Sequence, residues 1–100
     1  MHIVMSYDLS AEGARRTEIE NSIEEILRPY RHVKRLSTFY VIHVESIAMS
    51  ETIRQNMANL ANQIPERLLF IISPLMEGGR YNGILTTGDW DELNNITSLD

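Results

Sequence analysis

The chain has 100 residues, of which 43% are hydrophobic, and its net charge is -5 at pH 7. This length suits one domain with a single core, and the absence of cysteine excludes a disulfide scaffold, a thiolate zinc site and a cysteine nucleophile. The acidic balance argues against a surface that binds a phosphate backbone on all sides, because such binding depends on Lys and Arg. We expect one domain over residues 1–100, with a core over 2–75 and a C-terminal extension over 76–100.

The first part of the chain is predicted to form a strand, a helix and a long strand region. His2 to Asp8 is the first strand, and a helix follows because Ile19, Ile23, Ile26 and Leu27 recur at helical spacing. Pro29 ends this helix, since the residue before a proline disfavours the helical conformation. The start of the helix stays open between two signals, Ser10 as a cap and Thr17 with Glu20 as a capping box.

The next region, Val33 to Val44, is too long for one simple strand and is predicted to turn near Ser37 and Thr38. A second helix is expected from about Ser50 to Asn62. The apolar strand Arg67 to Ser73 follows and is closed by Pro74. In the last quarter, Tyr81 to Thr87 is predicted as a fifth short strand and Trp90 to Leu93 as a helical turn.

The two helices carry the same apolar pattern. Positions 19, 23, 26, 27 and 30 recur at 53, 57, 60, 61 and 64, an offset of 34 residues, and the strands repeat at a similar offset. Two such halves predict an α+β fold, the ferredoxin-like βαββαβ sandwich, with an extra C-terminal strand. Helices on one face leave the other face of the sheet uncovered, yet Leu68 to Ile72 is apolar on both faces. We therefore expect a homodimer.

No segment indicates a membrane protein. The longest purely apolar run, Leu68 to Ile72, is much shorter than the roughly 20 residues of a membrane span. The first residues lack the basic region and the long apolar stretch of a secretory signal. The expectation is a soluble, cytoplasmic protein with no membrane partner.

Asp8 is the residue best placed for chemistry, because it ends the first strand directly after Tyr7 and before a polar turn. Mg²⁺ is commonly held by one or two carboxylates with phosphate oxygens and water, and a homodimer would duplicate Asp8 across its two-fold axis. The alternative is that Asp8 caps the following turn through local backbone hydrogen bonds.

Basic residues concentrate between positions 28 and 35, where Arg28, Arg31, Lys34 and Arg35 stand with His32 among them. Such a cluster suits either a solvated helix end or a surface that contacts phosphate groups. Ser37 and Thr38 add hydroxyl donors beside it. As a nucleic-acid site, the set is Arg31, Lys34, Arg35, Ser37 and Thr38.

Three short motifs resemble a known group over roughly residues 2 to 75. They are Ser6-Tyr7-Asp8-Leu9 at the end of an apolar strand, Ser37-Thr38-Phe39, and the apolar strand from Leu69 that runs into Pro74-Leu75. The pattern resembles the CRISPR-associated Cas-two proteins and their relatives, the SinR-like proteins and the virulence-associated protein D toxins. Val33 stands where the Cas-two pattern has an arginine, so the SinR-like branch is the better match.

The resemblance implies a ferredoxin-like homodimer, often with a C-terminal strand that crosses to the partner. It also implies a Mg²⁺-dependent endonuclease in some members, with Asp8 as metal ligand and Asp8 and Tyr7 as catalytic residues, and a non-catalytic scaffold in others. The leading hypothesis is thus a small dimeric endonuclease acting on RNA or DNA. The alternative is a dimeric scaffold that binds nucleic acid or protein, and a small-molecule regulatory domain ranks last because a glycine-rich ligand loop is lacking.

Overall fold

The computed structural model describes residues 1–74 and 86–97. In chain order these residues form β1 (His2–Leu9), α1 (Gly13–Leu27), β2 (His32–Leu36), β3 (Phe39–His43), α2 (Ile47–Gln63), β4 (Leu68–Pro74) and α3 (Thr87–Thr97). The four strands form one antiparallel sheet in the order β2-β3-β1-β4. The predicted α+β class is confirmed, and the arrangement is compatible with a ferredoxin-like sandwich.

The turn predicted within residues 33–44 is confirmed. β2 and β3 pair as an antiparallel hairpin, and Ser37 and Thr38 connect them. The register shifts between Lys34 and Leu36, so the hairpin contains an irregularity just before its turn. A β-rich run of this length therefore folds back on itself, as its polar centre indicated.

Both predicted signals for the start of α1 are wrong. The helix begins at Gly13, whose φ of 60° lies in the left-handed region that favours glycine. The Ser10 hydroxyl instead accepts a hydrogen bond from the backbone N–H of Arg67 at 2.8 Å, which ties the end of β1 to the start of β4. Thr17 lies inside the helix, where its hydroxyl donates to the carbonyl oxygen of Gly13 at 3.4 Å.

The second helix begins earlier than predicted, at Ile47 rather than near Ser50. Ser46 caps it, because its hydroxyl oxygen accepts a hydrogen bond from the backbone N–H of Met49 at 3.3 Å. Apolar periodicity missed this first turn because Ile47 itself is exposed and the buried positions start at Ile53.

The main core lies between the sheet and the pair α1 and α2. Alternate residues of β1 point into it, since successive side chains of a strand point to opposite faces. Its buried members from the two helices all belong to the predicted apolar positions, whereas Ile26, Tyr30, Ala61 and Ile64 are only partly buried. The core contains Ile3, Met5, Tyr7 and Leu9 of β1, Tyr40 and Ile42 of β3, Ile19, Ile23 and Leu27 of α1, and Ile53, Met57 and Leu60 of α2.

A smaller core lies on the opposite face of the sheet, under α3. Leu93 and Ile96 of α3 are buried against Val41, with partly buried residues around them: Val4, Val33, Phe39 and Trp90. The helical turn predicted at Trp90 to Leu93 belongs to this 11-residue helix. Most of the strand predicted at Tyr81 to Thr87 lies outside the described residues, and Thr87 itself begins α3.

Over residues 1–74 and 86–97, none of the helices combines the length and the apolar character needed to cross a membrane.

Candidate functional site

Helix α3 covers only part of the sheet face on which it packs. The helix packs mainly on β2 and β3, whereas Leu69 and Ile71 of β4 are 54% and 69% exposed. In the register of β1 and β4, Ser6 pairs with Ile71 and Asp8 pairs with Leu69, so these four side chains share one face. We name these four residues the open patch. They also line a shallow pocket of about 280 Å³.

Asp8 presents its carboxylate to solvent at the edge of the open patch. Its side chain is 72% exposed, and its Oδ2 lies 3.4 Å from Nη2 of Arg67, whose side chain is 65% exposed. Ion pairs this exposed contribute little to stability, because water screens both charges. Among the described residues the carboxylate makes this ion pair and no bond to a backbone amide, so it does not cap the turn that follows β1.

Tyr7 faces the other side of the sheet and is buried in the main core. Its hydroxyl donates a hydrogen bond to Glu20 of α1 and lies 3.2 Å from the carbonyl oxygen of Ser37. Burial, with the hydrogen bond to Glu20, raises the pKa of Tyr7 above its usual value. The structure therefore separates the two predicted catalytic residues, because Tyr7 and Asp8 lie on opposite faces of β1.

A second tyrosine repeats this arrangement. The hydroxyl of Tyr40 donates to Oε1 of Glu24 at 2.6 Å, and the Tyr7 and Tyr40 rings stack with centroids 6.3 Å apart. Burial and this hydrogen bond raise the pKa of Tyr40. Nε2 of His32 lies 3.2 Å from the other carboxylate oxygen of Glu24, so α1 is joined to both β2 and β3.

These contacts set the charge state of the two glutamates. Burial opposes ionisation of Glu20, but the hydrogen bond from Tyr7 and the charges of Lys34 and Arg16 prevail and lower its pKa. Burial likewise opposes ionisation of Glu24, and the hydrogen bonds from Tyr40 and His32 prevail there. Both carboxylates are thus held ionised in a half-buried position between helix and sheet.

The predicted phosphate-binding cluster is largely engaged with α1. Lys34 Nζ lies 3.5 Å from Glu20 and 5.4 Å from the centre of the Tyr40 ring, so it is paired and packed. Arg28, the residue after the end of α1, pairs with Glu25 of that helix, and His32 pairs with Glu24 as described above. Arg31 is exposed. Arg35 lies in β2, and its side chain lies outside the described part.

The structure does not gather the predicted nucleic-acid residues into one surface. Ser37 and Thr38 form the hairpin turn beside the end of β1, where the carbonyl oxygen of Thr38 accepts from the backbone N–H of Tyr7 at 3.1 Å. Arg31 precedes the other end of β2, where its carbonyl oxygen accepts from the backbone N–H of His43 at 2.8 Å. The turn hydroxyls thus lie at the same end of the sheet as Asp8, and Arg31 lies at the opposite end.

The carboxylate of Asp8 has the chemistry that Mg²⁺ prefers, a hard oxygen ligand exposed to water. In the two described ranges, however, the chain contains no group of three or more His, Asp and Glu side chains that could hold a metal ion. Asp8 is thus a single hard-oxygen ligand at the end of β1, and Mg²⁺ can be held by one such carboxylate together with phosphate oxygens and water.

The sequence did not indicate a role for three charged residues that contact the predicted site residues. They are Glu20 and Glu24, beside Tyr7 and Lys34, and Arg67, beside Asp8. The spacing of Glu20 and Glu24, one helical turn apart, was a usable signal that both lie on one side of α1. No spacing signal linked Arg67 to Asp8, because their contact depends on the pairing of β1 with β4.

A scan against protein-family models, a search of curated proteins and a search of solved structures found no match to this chain.

Proposed function

We propose that the chain is a ferredoxin-like domain that works as a homodimeric, non-catalytic module, joined through the open patch, and binds a protein or nucleic-acid partner. One observation carries this proposal. Leu69 and Ile71 are largely exposed on a sheet face whose other half is buried under α3. Burying apolar side chains of this size away from water is favourable, by roughly 25 cal/mol for each Å².

A second copy suits the open patch because β4 is the last strand of the described sheet. A two-fold axis brings the same patch to both sides of an interface, so each Leu69 and Ile71 meets apolar side chains of the other copy. The resemblance to the SinR-like and Cas-two proteins supports the same assembly.

The charges around α1 argue against phosphate contact at the basic cluster, and so against a nuclease or a nucleic-acid partner that would use this cluster. Lys34, which was predicted to contact phosphate groups, pairs with Glu20 of α1, and the nearby His32 pairs with Glu24. Contact with a phosphate would require these pairs to open, and the ionised glutamates beside them would repel the phosphate.

The test is the mass of the protein in solution by light scattering at tens of micromolar. We expect a dimer for the wild type and a monomer for the double variant Leu69→Ser/Ile71→Ser. Ile47→Ser is the matched control, because Ile47 is 71% exposed but lies at the start of α2, away from the open patch. A monomeric wild type, or dissociation caused equally by Ile47→Ser, contradicts the proposal.

A Mg²⁺-dependent endonuclease is the second candidate function, favoured by the exposed carboxylate of Asp8 at the edge of the open patch. In a dimer joined there, the Asp8 residues of two copies would hold the ion. Bound Mg²⁺ supplies charge stabilisation at a phosphate and activation of a water molecule.

Cleavage of labelled RNA and DNA, single- and double-stranded, separates the two candidates. A nuclease would cut with Mg²⁺ and lose its activity in Asp8→Asn and with a chelator. Asp91→Asn, which changes an exposed aspartate of α3, is the control. If the protein is a non-catalytic module, the wild type should show no metal-dependent cleavage. Cleavage that is lost in Asp8→Asn but kept in Asp91→Asn would overturn the non-catalytic proposal.

A further inference from the structure

The open patch contains one negative charge, that of Asp8, and the positive charge of Arg67 lies beside it. Asp8 lies directly opposite Leu69 in the register of β1 and β4, and Arg67 is the residue just before β4 begins. The two charges are 3.4 Å apart, and each side chain is at least 65% exposed. Both are therefore available to a molecule that packs on Leu69 and Ile71.

A surface of this kind is complementary to itself. In a two-fold interface, residue i of one copy contacts residue j of the other, and residue j contacts residue i in return. The patch can thus place a cation against an anion twice in one interface. A uniformly acidic patch would repel its own copy.

We propose that Asp8 and Arg67 form ion pairs across the two-fold axis, so that each Asp8 is neutralised by the Arg67 of the other copy. The inference rests on the proposed homodimer and names what selects the second copy. Around the axis, two aspartates and two arginines alternate, and every charge has neighbours of opposite sign. Such pairing contributes specificity and orientation more than affinity, which comes from Leu69 and Ile71.

This arrangement differs from the metal-bridged pair of aspartates in what supplies the positive charge. Two carboxylates that meet without a cation repel each other, so a dimer that brings Asp8 residues together needs Mg²⁺ or a basic side chain. Arg67 is already beside Asp8 and provides that charge. We therefore expect the wild-type dimer to be unaffected by a chelator.

The experiment mixes two charge-reversed chains. Asp8→Arg leaves only cations at the patch and Arg67→Asp leaves only anions, so each variant alone should dimerise with a dissociation constant raised about tenfold or more. Mixed together, they should form a heterodimer in preference to either homodimer. The readout is native mass spectrometry with one variant isotopically labelled. Circular dichroism checks that both variants fold, as we expect because substitutions at exposed positions usually change stability little.

The double variant Asp8→Arg/Arg67→Asp restores one charge of each sign and should dimerise like the wild type. Two results would overturn the ion pairs across the axis while leaving the homodimer intact. In one, the mixed single variants form homodimers and heterodimers in statistical proportions. In the other, the mixture contains no more dimer than each variant alone. A wild type that is monomeric under the same conditions overturns the homodimer and the inference with it.

Discussion

The two halves of one sheet face differ in what covers them. On β2 and β3, Val41 is completely buried because Leu93 and Ile96 of α3 pack against it. On β4, Leu69 and Ile71 point to the same side of the sheet and remain largely exposed. Apolar strand residues thus have the same chemistry in both halves, and only the presence of a covering helix separates core from surface. We propose that a second copy covers the open half.

The carboxylates differ in a similar way. Glu20 and Glu24 are each held by a tyrosine hydroxyl and a basic side chain between α1 and the sheet. Asp8 lies on the open half with an exposed arginine beside it. The first two carboxylates therefore serve stability, and Asp8 is available for interaction.

The largest effect on stability is expected from truncating a leucine of the covered half, compared with the same truncation in the open half. Leu93→Ala removes a buried side chain of α3 and should lower the free energy of unfolding by about 2–5 kcal/mol. Leu69→Ala, at an exposed position, should change the free energy of unfolding of the monomer by less than about 0.5 kcal/mol. Urea unfolding at a concentration below dimerisation measures both. Equal losses would show that the halves do not differ as described.

A smaller effect is expected from Tyr40→Phe, which keeps the ring but removes the hydroxyl that donates to Glu24. The half-buried carboxylate loses a hydrogen bond, so the free energy of unfolding should fall by about 1–3 kcal/mol. Tyr30→Phe is the control, because it makes the same chemical change at a partly buried tyrosine beside the main core. Losses of the same size in both variants would contradict a special role for the Tyr40–Glu24 bond.

Acid should weaken the same region. The pKa values of Glu20 and Glu24 are lowered in the folded protein, below the ordinary value of 4.5. Their stabilising effect is therefore complete above that value and is lost as the pH falls towards the lower pKa of the folded state. Urea unfolding between pH 7 and about 3 should show this loss of stability. The loss should be smaller in the double variant Glu20→Gln/Glu24→Gln and unchanged in the control Glu12→Gln. An unchanged profile in the double variant would contradict this assignment.

The smallest effect on stability is expected at the open half. Asp8→Asn and Arg67→Gln each break an exposed ion pair and should change the free energy of unfolding of the monomer by less than about 0.5 kcal/mol. Thermal or urea unfolding of dilute protein checks this. A loss above about 1 kcal/mol for either variant would give the pair a structural role and remove the contrast with Glu24.

Sequence patterns predicted the main core well because it depends on regular spacing. The helical periods of Ile19, Ile23 and Leu27 and of Ile53, Met57 and Leu60 identify the faces of α1 and α2 that are buried. The hairpin turn at Ser37 and Thr38 was also predictable, since Val33 to Val44 is too long and varied to be one simple strand.

Other features could not be read from spacing alone. The three-residue steps of Trp90, Leu93 and Ile96 carried a weak helical signal, and only packing on Val41 shows that α3 covers half of the second face. The alternation of β1 places Tyr7 and Asp8 on opposite faces, but the partners Glu20 and Arg67 come from elements distant in the sequence. The sequence thus predicted Asp8 as a site residue, but not the surface that surrounds it.

Isotope-filtered nuclear Overhauser spectroscopy detects directly whether two copies meet at the open patch. A mixed sample of labelled and unlabelled chains reports only contacts between copies. We expect intermolecular contacts from the methyl groups of Leu69 and Ile71, and none from Ile47. A dimer whose intermolecular contacts arise from Ile47 and not from Leu69 or Ile71 would contradict it.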